Sequence, residues 1–332
     1  MPILDAELTT RPLTVADAPG WAALMAAAIE NDGWGERLSA EELAEELTQP
    51  GFDAATASLG VFDGDLLVAA ATVHDKPTTL PTRLYRTDAD VHPAYRRRGI
   101  GTRLLRWQRE HLARLHAEAT DGLPAEVGYT RNDRDTGREV LYAAAGFRPV
   151  RWFFDMECDL TTPPPAAPVP DGLHLVPMTP DQDEATRLAY VETFGDHYGS
   201  PDASPEFWQH HFVGASLFRR ELSFLLLAGE EIAGYVLSFA GTSDLASDGT
   251  PRVWLGDIGV RRPWRRRGAA AAMIAHAMRL YAAAGYTRAA LGVDADNPTG
   301  ALGVYQRAGF HVTQRWTKSV ERLPAAPRPS QG

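Results

Sequence analysis

Two arginine–glycine loops are the segments of this sequence best suited to chemistry. Arg96-Arg97-Arg98-Gly99-Ile100-Gly101 and Arg265-Arg266-Arg267-Gly268-Ala269-Ala270 each stand between a strand-like run and an amphipathic, helix-like run. The first amide N–H groups of a helix have no internal partner and carry partial positive charge. A glycine just ahead of them lets the backbone approach closely and take dihedrals that other residues avoid. Such a turn, continued in the first copy by Thr102, can cradle a pyrophosphate, with the arginines adding charge. Taken singly, the same residues read equally well as a surface loop with solvated arginines. The loops are not Walker loops, since no Gly-Lys-Ser/Thr follows, nor dinucleotide fingerprints, since the G-x-G-x-x-G spacing is missing.

A second pattern follows each loop. Tyr142-Ala-Ala-Ala-Gly-Phe147 lies downstream of the first and Tyr305-Gln-Arg-Ala-Gly-Phe310 downstream of the second. Two landmarks in the same order at nearly equal separation indicate an internal duplication. A proline run from Thr161 to Pro170 separates the copies. The sequence therefore predicts a first domain over 1–160, a stiff linker over 161–170, a second domain over 171–324 and a disordered tail over 325–332.

The elements that must position these residues are similar in both halves. In the first, the pattern predicts a strand near Leu8–Leu13, a helix from about Asp17, and a second helix after Ser39, where Ser39 and Glu42 have capping-box spacing. A hairpin turning at Asp63-Gly64-Asp65 and a strand over Leu84–Val91 lead into the loop and a long helix. A strand near Glu126–Tyr129, a helix ending at Gly146 and two closing strands complete the unit. The second half repeats the order, with VWLGDIGV before its loop. Each copy is thus α/β with a mixed sheet.

Composition narrows the function. The chain has 332 residues, 44% hydrophobic and 23% charged, as expected of a globular protein of two domains. Its net charge of −10 argues against broad nucleic-acid binding, although RRPWRRR interleaves an aromatic with arginines. No apolar run is long enough for a membrane span, and the N-terminal residues do not resemble a signal peptide, so cytoplasm is the expectation. A lone cysteine, Cys158, rules out an internal disulfide and a cysteine metal cluster, and it reads as a strand residue. Adjacent His210 and His211 do not share a helix face, so no metal is expected.

The loops, their order and their duplication resemble the GNAT superfamily of acyl-CoA N-acyltransferases. Arg96, Gly99 and Gly101, and likewise Arg265, Gly268 and Ala270, match its Arg/Gln-x-x-Gly-x-Gly/Ala loop. Asn297 followed by Tyr305 matches the later motif, whereas in the first half Asn132 stands further from Tyr142. The resemblance covers nearly the whole chain. It implies a GNAT fold in two tandem copies, acetyl-CoA as co-substrate, and direct attack by a neutral amine in a ternary complex. It assigns the strand before the loop, with Ile258 and Val260 in the second half and Asp90 and Val91 in the first, to the pantetheine and thioester carbonyl. Asn297 would position the cofactor, and Tyr305, with Tyr142 second, would protonate the departing thiolate. Asp257, on the strand leading to the loop, is the first candidate for the base, with Glu192 and His197 behind it; strand alternation raises the question of which way Asp257 points. Among tandem GNAT chains there is a distant similarity to mycothiol synthases, which carry a glutamate before the catalytic loop where Trp254 stands here. The expectation is an acetyltransferase for a small-molecule amine, catalytic in its C-terminal half and monomeric or weakly dimeric. A CoA-binding or partner-binding module without catalysis is the alternative.

Overall fold

The computed structural model describes residues 8–35, 37–76, 78, 80–119, 121–195, 204–241, 250–296 and 300–325. In chain order the elements are β1 (Leu8–Arg11), α1 (Ala18–Asp32), α2 (Ala40–Thr48), α3 (Ala54–Ala57), β2 (Ser58–Asp63), β3 (Leu66–Lys76), β4 (Arg83–Val91), α4 (Ile100–Ala117), β5 (Ala125–Asn132), α5 (Thr136–Ala144) and β6 (Arg148–Asp159). The second half supplies β7 (His174–Pro177), α6 (Asp183–Phe194), α7 (Pro205–Trp208), β8 (Phe224–Ala228), β9 (Glu231–Phe239), β10 (Arg252–Val260), α8 (Ala269–Ala283), β11 (Arg288–Asp294), α9 (Ala301–Arg307) and β12 (His311–Leu323). Among the described residues no helix is long and apolar enough to cross a membrane.

The chain forms two compact units, and neither is a continuous half. One comprises residues 1–151 with 316–332, the other residues 152–315. The expected boundary at the proline run is therefore not where the units divide. The two closing strands expected for the first half are also not both there: a single long β6 follows α5. From Phe153 to Asp159, β6 pairs antiparallel with β11 in the second unit. Conversely β12, from Trp316 to Leu323, pairs antiparallel with β5 in the first. Each unit thus takes its last strand from the other half of the sequence, an exchange that local patterning cannot reveal.

Within the first unit the sheet runs β1-β2-β3-β4-β5-β12, and within the second β7-β8-β9-β10-β11-β6. All pairs are antiparallel except β4 with β5 and β10 with β11. The order is the same in both, which bears out the duplication. Local chemistry fixes the ends of the elements. Ser39 Oγ accepts from the Glu42 amide at 3.2 Å while Glu42 returns a bond to the Ser39 amide at 2.8 Å, completing the expected capping box. Helix α4 buries Ile100, Leu104, Leu105 and Leu112 at helical spacing against the sheet. Each such side chain contributes about 1.5–3 kcal/mol of burial. In the second unit α8 does the same with Ala269, Met273, Ile274, Ala277 and Met278.

Candidate functional site

The two loops have the same backbone. Arg97 and Arg266 sit at φ 64° and 59°, and Gly99 and Gly268 at φ 79° and 89°. Left-handed residues at alternate positions turn successive N–H groups to one side, forming an anion-binding concavity. A Cβ at Gly99 or Gly268 would meet nothing within 4 Å, so glycine is needed there for its dihedral and not for room. A Cβ at Gly101 would lie 3.8 Å from Leu141 Cδ2, ordinary contact, so Ala270 at the matching place in the second loop is no defect. The first hydrogen bonds inside the helices are Arg103 N to Gly99 O and Ala272 N to Gly268 O. The amides of Ile100, Gly101 and Thr102, and of Ala269 to Ala271, therefore precede the helical ladder.

The first arginine of each loop braces it. Arg96 Nε donates to Val91 O at 3.1 Å and Arg265 Nε to Val260 O at 2.8 Å. Arg96 also gives both terminal nitrogens to Asp32, at 2.7 and 2.8 Å. Arg97, Arg98, Arg266 and Arg267 are exposed. Arg98 lies over the Tyr95 ring at 4.9 Å.

Ahead of each loop, two parallel strands part. β4 pairs with β5 from Arg83 as far as Thr87, opposite Tyr129, leaving residues 88–91 without that neighbour. β10 pairs with β11 only from Arg252 to Trp254, leaving residues 255–260. Counting back from the loops, Val91 matches Val260, Asp90 matches Gly259, Ala89 matches Ile258 and Asp88 matches Asp257. Asp90 is thus not the counterpart of Ile258. In the first unit a cavity of about 820 Å³ takes in the parted strand, the loop, Trp21, Trp34, Arg138 and Tyr142.

The units differ where the strands part. β10 carries a bulge at Gly256, between Leu255 and Asp257, whereas β4 runs against β3 without one. A Cβ at Gly256 would collide with the Phe239 ring. The bulge answers the question of which way Asp257 points. Val253 and Leu255 pack in the cluster that contains α8, and beyond the bulge Ile258 and Val260 do so. Asp257 is left on the opposite side, within electrostatic reach of Tyr190 on α6, Tyr235 on β9 and Tyr305 on α9. A bulge that re-aims a side chain is a common feature beside active sites.

Asp257 keeps some exposed area but has protein packed closely around it. Burial pushes its carboxyl from 3.8 up to about 7. Among the described residues none donates it a hydrogen bond. Its counterpart Asp88 has a side chain 47% exposed and pairs with Arg86 at 2.8 Å, which makes it an ordinary surface carboxylate. Burial, with the Asp257 charge adding to it, holds the Tyr305 phenol up at about 12. Tyr142 is raised to about 12 as well, again mainly by burial.

Comparisons with known proteins give the family. Residues 185–310 match the acetyltransferase (GNAT) family, and residues 59–149 match a GNAT acetyltransferase domain. A mycothiol acetyltransferase of Salinispora tropica is 31% identical over 252 residues, which span 73% of this chain and 74% of that protein. The chain belongs to the GNAT acetyltransferases, in tandem form. A mycothiol acetyltransferase of Streptomyces scabiei is 28% identical over 91% of both chains. The crystal structure of a GCN5-related N-acetyltransferase from Sphaerobacter thermophilus, 29% identical, superposes with a TM-score of 0.76 over 99% of this chain and all of that one. A tandem GNAT protein from the clavulanic acid biosynthesis pathway, 22% identical, shares the fold at a TM-score of 0.71 over 95% of this chain and 98% of that one.

GNAT enzymes use acetyl-CoA or another acyl-CoA, and the second unit has the features to hold one. The left-handed turn and the free helix amides suit the pyrophosphate, and the edge of β10 that β11 has left suits the pantetheine. Of the expected site residues, Asp257, Ile258 and Val260 stand on the parted strand ahead of the loop of Arg265–Ala270, and Tyr305, on α9, packs in the same cluster as Ile258 and Val260. Glu192 is tied to Arg261 at 2.6 Å, which engages the carboxylate considered as a second candidate base. Asn297 and His197 lie outside the described residues. Sequence reasoning missed Tyr190, Tyr235, Gly256, Asp32 and Arg138. Of these only Gly256 left a signal, since a glycine inside a strand pattern often marks a bulge.

Proposed function

We propose that the second unit transfers the acetyl group of acetyl-CoA to a primary amine of a small molecule, with Asp257 as base and Tyr305 as hydrogen-bond donor to the leaving sulfur. The observation that carries this reading is the bulged β10. Beyond the bulge, a closely packed carboxyl with a value of about 7, to which no described residue donates a hydrogen bond, stands on the strand that parts beside the loop, within electrostatic reach of a buried phenol. Acetyl-CoA, when bound, supplies an acetyl group already activated as a thioester.

The residues divide the remaining work. An alkylammonium must lose a proton before it can attack, and a carboxylate raised towards neutrality is a far better acceptor at pH 7–8 than one near 4. Backbone N–H groups of the freed β10 edge polarise the carbonyl as preorganised donors. Tyr305 keeps its proton at neutral pH, and no described residue hydrogen-bonds its hydroxyl. Surrendering that proton from about 12 to a thiolate of ordinary basicity, ~8.5, is uphill by roughly 5 kcal/mol. Tyr305 therefore acts by a charge-assisted hydrogen bond to the sulfur and not by complete protonation.

The curated relatives named above are mycothiol acetyltransferases, so the amine precursor of mycothiol belongs in any acceptor panel. Trp254, at the place where the resemblance puts a glutamate, argues for a different acceptor. The test is thiol release from acetyl-CoA across a panel of small amines, comparing the native chain with Asp257→Asn and Tyr305→Phe. Release that both substitutions depress supports the proposal. Binding of CoA with no release for any amine would favour the non-catalytic module.

A further inference from the structure

The two units differ at one side chain facing the parted strands. Counted from the motif tyrosines, Arg138 on α5 stands where α9 has Ala301, each four residues before Tyr142 or Tyr305. Arg138 Nη2 donates to the Ala89 carbonyl oxygen and to Asp90 Oδ1, the latter at 2.7 Å. Its Nε lies 3.4 Å from Asp135 Oδ2. Ala89 and Asp90 belong to the part of β4 that β5 has left. A strand edge without a neighbour must find partners for its polar groups. In the first unit the side chain of the facing helix supplies one, at the place where a pantetheine arm would lie. Two carboxylates hold the guanidinium there. An alanine methyl cannot make this reach, and among the described residues no side chain of α9 crosses to β10.

A second observation points the same way. Asp32 neutralises Arg96, the first arginine of the loop in the first unit, in a two-bond pair. Among the described residues Arg265 has no such carboxylate. The loop of the first unit therefore presents less positive charge to a phosphate, and the open edge of its β4 is engaged by its own arginine.

We infer that Arg138 decides which unit takes acyl-CoA: at the wall of the first unit's cavity it occupies the Ala89 carbonyl that a pantetheine amide would need, and so limits the chain to one molecule, bound in the second. This rests on the acyl-CoA reading of the parted strands given above. Entry into the first unit requires Arg138 to leave both Ala89 and Asp90, which weakens binding there by ~10²-fold or more.

Calorimetric titration of acetyl-CoA into the full chain tests this. The native protein should bind one equivalent, lost in Gly268→Glu and kept in Gly99→Glu. Arg138→Ala should bind two, the second lost again when Gly99→Glu is added. Because removing the arginine leaves Asp90 short of a cation, Arg138→Ala/Asp90→Asn serves as a second variant, with its melting temperature as the check on folding. Two equivalents in the native protein would overturn the inference. So would one equivalent in a folded double variant. No binding by native and variant chains alike would instead sink the acyl-CoA reading itself, which is distinct from a stoichiometry that stays at one.

Discussion

Replacing Asp257 by asparagine tests the base through stability and turnover together. The carboxyl rises from 3.8 to about 7 because burial disfavours its charge, a difference of about 4 kcal/mol at roughly 1.4 kcal/mol for each tenfold change in proton affinity. Between those two values the folded chain holds a proton that the unfolded chain has released. Stability therefore falls as pH rises through that window and levels off above about 7. Asparagine has nearly the same shape and no charge to bury. Relative to Asp257→Asn, the native protein should lose about 2–3 kcal/mol between pH 5 and 8, below the full 4 because part of the window lies under pH 5 and the side chain keeps some contact with solvent. Urea unfolding of both proteins across that range reads the difference directly. In the same buffers, native kcat/KM should climb with a midpoint near 7, and the variant should show a lower and flatter profile, down by ~10²-fold or more. The variant would be the more stable protein and the poorer enzyme. A stability difference independent of pH, or a native kinetic midpoint below 5, would refute the reasoning.

Other outcomes follow from the same geometry. Tyr305→Phe removes one charge-assisted hydrogen bond of about 1.5–3 kcal/mol, so kcat should drop roughly 10- to 150-fold with little change in KM for acetyl-CoA; Tyr142→Phe should leave turnover unchanged. Gly268→Ala has open space around it but must hold a φ of 89°, so it should cost about 1–2 kcal/mol in unfolding and weaken acetyl-CoA binding in calorimetry. Gly101→Ala, meeting only Leu141 at 3.8 Å, should leave the melting temperature unchanged. Fragments cut at the proline run, 1–160 and 171–332, each lack the strand that completes their sheet. Expressed separately they should give no cooperative unfolding transition, and expressed together they should regain one.

The fold was legible where the physics is local. The capping box at Ser39, the hairpins, the strand–loop–helix passages at Gly99 and Gly268 and the duplication itself depend on residues close in sequence, and the structure has them. The exchange of last strands depends on pairing between segments more than 100 residues apart, and alternating apolar residues in β6 and β12 suit either sheet equally well. The candidate site divides along the same line. The loops and the motif tyrosines announce themselves, whereas Arg138 and Asp32 look like surface charges until the fold brings them to Ala89 and Arg96.

Asp257 illustrates why position on a strand does not by itself fix a role. Its counterpart Asp88 precedes the same loop at the same distance, yet one carboxyl is buried and raised while the other pairs with Arg86 at the surface. What separates them is their surroundings: Ala89 and Val91 pack towards α4 as Ile258 and Val260 do towards α8, so both carboxyls face the other side, but Asp88 meets Arg86 in the open while Asp257 has Tyr190 and Tyr235 near it. Uninterrupted alternation would put Asp257 on the side of Val253 and Leu255, facing α8. The bulge at Gly256 sends it instead to the side of Tyr190 and Tyr235, and it requires glycine because Phe239 occupies the space a side chain would need. Duplication supplied two copies of one scaffold. They now differ in the side chains around one parted strand: tyrosines stand near Asp257 in the second unit, and Arg138 bonds the open edge of β4 in the first.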